Sequence, residues 1–105
     1  MNNLVLIYTP FNKLIIKSLI DQGLIHKNSL IIDHTIQKSN DFANYIHLSN
    51  FFQKLYFIAK MRFFCSFFLK KHQITDFFIP HADGIVSNMF VRKVKRSNFF
   101  KLNLY

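Results

Sequence analysis

The residues best equipped for chemistry fall in three short segments: Thr9-Pro10-Phe11-Asn12, Asp33-His34 and Pro80-His81-Ala82-Asp83-Gly84. An imidazole can move protons near neutral pH or hydrogen-bond a phosphate or sugar hydroxyl, and a carboxylate beside it can orient it. His81 and Asp83 have that spacing. They also have a structural alternative, in which Asp83 caps a following helix and His81 satisfies a loop backbone group. Asp33-His34 offers the same side-chain types, again with a structural or solvent-exposed alternative. No residue is assigned as a catalytic base.

Several chemistries are disfavoured. The turn after the first apolar run lacks the glycines of a dinucleotide fingerprint or a P-loop, so no cofactor is expected by those routes. The five histidines have no H-E-x-x-H or comparable spacing, and Asp41, His47 and His72 lie apart, so no metal site is expected. A single cysteine, Cys65, excludes an internal disulfide, and its run of phenylalanines predicts a small buried side chain rather than a reactive thiol.

The elements that must carry these segments follow from hydrophobic pattern. Residues 4–8 form a continuous aliphatic run, as in a strand buried on both faces of a parallel sheet. Helical spacing follows over 11–22, closed by Gly23, and a second apolar run covers 29–33. A strand joined to another through a helix of this size is parallel to it, so the opening reads as βαβ. Residues 34–48 read as loop, with one short strand or helical turn around 43–47. Ser49 or Asn50 can cap a long helix over 51–71 whose apolar residues exceed a surface stripe. A third strand over 74–79 ends at Pro80, a last helix fits 87–96, and 99–104 fits a terminal strand. The expected fold class is α/β, a three-layer unit with a parallel, Rossmann-like sheet in one domain over 1–105. Its three chemical segments then meet at the carboxyl ends of the strands, where such sheets bind ligands.

Composition fits this reading. Half of the 105 residues are hydrophobic and Gly and Pro total four, which excludes a disordered or collagen-like chain. No run approaches the ~18 apolar residues of a membrane span. The start, Met1-Asn2-Asn3-Leu4, lacks the pattern of a signal peptide, so a cytoplasmic protein is expected, peripheral at the inner membrane if it contacts lipid. The net charge of +9 suits anionic lipid, a phosphorylated substrate or nucleic acid, although a genome rich in A and T would also enrich lysine. Basic residues read as spread along the chain, densest at Arg92, Lys93, Lys95, Arg96 and Lys101, with Phe90, Phe99, Phe100 and Tyr105 interleaved. A solvated helix face with core aromatics is the plain alternative; nucleic acid ranks behind an anionic membrane surface as partner.

The opening Asn3-Leu4-Val5-Leu6-Ile7-Tyr8-Thr9-Pro10-Phe11, with the later Asp76-Phe77-Phe78-Ile79-Pro80-His81 and Ser87-Asn88, resembles the N-terminal part of bacterial glycosyltransferase family 52, the lipooligosaccharide sialyltransferase-like enzymes. The resemblance implies the first half of a two-halved GT-B fold, a nucleotide sugar linked to CMP or UDP as donor, and a cell-surface glycan of lipooligosaccharide or capsule as acceptor. It also implies a fragment or truncated remnant that does not transfer sugar unaided, since the later half holds the nucleotide sugar. Thr9, Pro10, His81, Asp83 and Asn88 are the expected cleft-lining residues. A missing domain or a second copy in a homo-oligomer would then cover the long apolar helix, as would burial in the centre of the fold. The rival reading is a non-catalytic basic α/β module that binds an anionic membrane surface or nucleic acid.

Overall fold

A computed structural model of the chain describes residues 3–38, 42–81 and 84–105. The apolar runs become strands β1 (Asn3–Ile7), β2 (Leu30–Asp33), β3 (Asn44–His47), β4 (Asp76–Ile79) and β5 (Lys101–Leu104). They form one sheet in the order β3-β2-β1-β4-β5, with every neighbouring pair parallel. Helices α1 (Pro10–Asp21), α2 (Phe51–Lys71) and α3 (Ile85–Arg96) connect β1 to β2, β3 to β4 and β4 to β5.

Successive side chains of a strand point to opposite faces, and here each set finds its own helices. Val5, Ile7 and Ile31 pack with Ile16 of α1 and with Phe42 from the β2–β3 connection. Leu4, Leu6, Ile32, Phe77 and Ile79 pack with Phe57, Met61, Phe68 and Leu69 of α2 and Val86 and Phe90 of α3. The result is three layers, α1 on one side and α2 with α3 on the other. Reversing the order of progress at β1 is what sends later helices to the opposite face, given crossovers of one hand. This is a Rossmann-like α/β unit.

Local chemistry sets the helix starts. Thr9 caps α1: its hydroxyl accepts from the Asn12 backbone N–H at 3.1 Å, and Asn12 Oδ1 accepts from the Thr9 N–H at 3.1 Å, with Pro10 preset in the first turn. Gly23, at φ 77°, adopts the left-handed conformation just past its end. Asn50 caps α2 through the Gln53 N–H at 2.9 Å, and Lys70 and Lys71 lie in its last turn, where the helix dipole favours cations. At Phe64 α2 departs from helical geometry and kinks.

The structure adjusts several expected boundaries, among them the start of β4, which lies at Asp76 rather than at 74. Tyr8 lies beyond β1 rather than in it, and Phe99 and Phe100 precede β5. The 43–47 segment resolves to a strand, paired parallel with β2. The last helix begins two residues before Ser87, because Gly84 occupies its cap position.

Candidate functional site

From β1 the sheet grows one way, to β2 and β3; from β4 it grows the other way, to β5. The strand order therefore reverses between β1 and β4, and the carboxyl rim at such a switch point is where sheets of this type take ligands. Tyr8 follows β1 and His34 follows β2. The register Ile7↔Asp33 sets them side by side, and their rings stack with centroids 4.4 Å apart. His81, beyond β4, stacks on the same Tyr8 ring at 4.9 Å. His81 is exposed.

Tyr8 also joins β1 to α3. Its phenol oxygen accepts from the Ser87 backbone N–H at 3.0 Å and from the Ser87 hydroxyl at 2.8 Å. No side chain of α3's own cap residue, Gly84, can do this, so Tyr8 supplies the missing N-terminal cap from 79 positions away. The approach is close: a Cβ at Gly84 would lie 2.7 Å from the Tyr8 hydroxyl. Burial raises the phenol above its ordinary pKa despite the opposing bonds from Ser87, so Tyr8 stays protonated at neutral pH.

His34 is held through its backbone N–H, which donates to the Ile7 carbonyl at 2.8 Å, and through Nδ1, 3.1 Å from the same oxygen. A carbonyl only accepts, so Nδ1 carries the proton and Nε2 the lone pair. Nε2 is buried and has no partner among the described residues. Burial lowers the imidazole below its ordinary pKa, with Lys54 adding to the effect, so His34 is neutral at pH 7.

Asp33, by contrast, is fully engaged. Lys13 lies 2.8 Å from its Oδ2, the Thr35 N–H and hydroxyl donate to Oδ1 at 2.8 and 2.6 Å, and the Tyr45 phenol donates to Oδ2. Burial alone would raise its pKa; Lys13 and the bonds from Thr35 and Tyr45 outweigh it and hold the carboxylate below its ordinary value. It locks α1, β2 and β3 together. The sequence neighbours Asp33 and His34 are thus not a catalytic couple.

Of the expected cleft residues, Thr9 and Pro10 reach the rim as exposed parts of the α1 start, with the Thr9 hydroxyl spent on its cap. His81 belongs to the ring stack. Asp83 lies outside the described residues. Asn88 lies instead in a groove of about 1000 Å³ between α2 and α3, with Arg62, Arg92 and Arg96. Sequence reasoning placed His34, His81 and Gly84 in segments at the rim but missed Tyr8 and its bonds to Ser87; the available signal was Tyr8's place one step past a paired strand.

Two other expectations change. Phe90 is in the core and Lys101 alternates with core-facing Leu102, so neither joins the expected basic and aromatic cluster on α3. Cys65 is half-buried beside the α2–α3 groove, its thiol raised by burial despite Lys93. Compared with known proteins, the chain matches no family model, no curated protein and no solved structure at a significant level.

Proposed function

We propose that this unit is a glycosyltransferase-like half that supplies one wall of a cleft for a glycan acceptor in bacterial surface-glycan synthesis. The observation that carries the reading is the Tyr8, His34 and His81 ring stack at the switch point between β1 and β4. Aromatic and imidazole faces offer the C–H surface of a sugar an apolar platform, while ring nitrogens serve its hydroxyls. The resemblance to sialyltransferase-like enzymes supplies the substrate class, and in that arrangement the nucleotide sugar, linked to CMP or UDP, sits on a different half. His81 is exposed and reaches the ligand; Tyr8 and His34 back it. Transfer requires a group that accepts the acceptor hydroxyl proton, and His81 is the candidate at this rim.

Saturation-transfer NMR with a galactose-terminated oligosaccharide, and separately with CMP and UDP, tests the proposal. Weak oligosaccharide binding that His81→Ala abolishes, with no detectable nucleotide binding, is the expected result. Absence of saccharide binding overturns the rim assignment, and tight CMP or UDP binding overturns the one-wall reading.

A further inference from the structure

The chain's charge is not spread evenly once it folds. Nine of its fourteen Lys and Arg lie on α2 and α3, and neither helix contains an acidic residue. The other five cations equal the five aspartates in number. Nine cations with no carboxylate on their own helices therefore share one layer, on one face of the sheet. Basic residues spread along the sequence are thus gathered by the strand order onto one face.

That layer is also the most aromatic surface of the molecule. Phe52, Tyr56, Phe63 and Phe67 fall near one line along α2, on the side opposite its core residues Phe57, Met61 and Phe68. Phe52, Phe63 and Phe67 are 79, 77 and 68% exposed. Arg62 flanks the line on the α3 side and Lys60 on the other. Between the helices runs the groove that holds Arg62, Arg92 and Arg96. It shares Ser66 and Lys93 with a cavity of about 540 Å³ lined by Leu69, Ile74, Phe99 and Phe100.

We propose that the α2–α3 layer docks on an anionic phospholipid bilayer, with headgroup phosphates in the arginine groove and the α2 phenylalanines in the acyl boundary. Charge selects an anionic partner, and the aromatic line selects lipid over nucleic acid. Exposed aromatic side chains beside Lys and Arg suit the acyl boundary of an anionic bilayer, whereas the phosphates of a nucleic-acid duplex need the cations alone. The apolar cavity, which meets the groove at the Lys93–Ser66 hydrogen bond, adds a place for hydrocarbon. No helix among the described residues is long and apolar enough to cross the membrane, so the contact is peripheral. The inference stands apart from the glycosyltransferase reading, because it uses none of the rim residues.

Sedimentation with vesicles of phosphatidylcholine alone, or with phosphatidylglycerol added, provides the test, alongside a duplex oligonucleotide and inorganic phosphate as competitors. The chain is expected to bind the anionic vesicles, to ignore neutral ones, and to release at high salt. Arg62→Ala and Arg92→Ala should each weaken binding about fivefold, the contribution of one cation near an anionic surface. Phe63→Ser with Phe67→Ser should weaken it roughly tenfold through lost insertion, with the fold checked by circular dichroism. Equal binding to neutral vesicles overturns the proposal. So does oligonucleotide or phosphate binding that displaces the vesicles and is indifferent to the phenylalanine changes.

Discussion

The sheet rim and the outer surface of the α2–α3 layer both carry charged groups, but they are built on opposite terms. At the rim, Asp33 is matched by Lys13, Thr35 and Tyr45, and the Tyr8 oxygen by Ser87. In the layer, nine cations share two helices with no carboxylate at all. A buried charge must find partners within the chain or destabilise it, whereas exposed cations are solvated and remain available to something outside. The difference separates side chains that hold the fold from those that can serve a partner.

Substitutions at the rim should therefore cost stability, and equivalent changes in the layer should not. The largest loss is expected for Asp33→Ala, which removes the partner of the Lys13 ammonium and of three hydrogen-bond donors; urea denaturation should show a loss of about 3 kcal/mol. Gly84→Ala should follow at about 1–3 kcal/mol, since the added methyl displaces the Tyr8 ring. Tyr8→Phe keeps the stacking but removes the cap of α3, for a loss of about 1 kcal/mol. Lys60→Ala, on the outer surface of α2, should leave the urea midpoint unchanged. A stabilising effect of Asp33→Ala, or a large loss for Lys60→Ala, breaks the comparison.

The pH dependence sharpens it. His34 is lowered in the fold, so below the ordinary imidazole value of about 6.5 the unfolded chain binds a proton that the folded chain resists. Its contribution is complete above that value and declines as pH falls. Asp33 is lowered too, so its stabilisation is complete above the ordinary carboxylate value of about 4 and is lost as pH falls through its depressed folded value. Both move stability the same way, and two separate acid limbs should appear in urea midpoints measured across pH. His34→Gln should shrink the upper limb, to which His72, also lowered by burial, contributes as well, and leave the lower one.

How far the sequence discloses this depends on whether a feature is local. The βαβ opening is legible because Leu4 to Ile7 and Leu30 to Ile32 are buried on both faces and their apolar runs are unbroken. Strand β3 is obscure because it lies at the sheet edge, where Asn44 is exposed and Tyr45 and His47 only half-buried. Ser87 looks like a helix start by residue type, but its N–H and hydroxyl answer to Tyr8, a partner no local pattern reveals. His81 and His34 could be picked from the segments that follow their strands; Tyr8 and the ring stack that joins the three could not, since stacking depends on strand register. The charge layer needed both kinds of information. The absence of acidic residues in each helix is visible in the sequence, but that α2 and α3 share one face follows from strand order.

The central claim is that one small sheet carries two independent working surfaces, a ring-stacked rim for a glycan and a cationic, aromatic layer for a bilayer. Backbone amide NMR of the chain on phosphatidylglycerol-containing nanodiscs, titrated with a galactose-terminated oligosaccharide, tests it most directly. The account predicts broadening confined to outward residues of α2 and α3, such as Phe52, Phe63, Phe67 and Arg92, when the discs are added, then shifts at Tyr8, His34 and His81 on adding saccharide. Perturbation of the same residues by both, or no saccharide response at the rim, would contradict it.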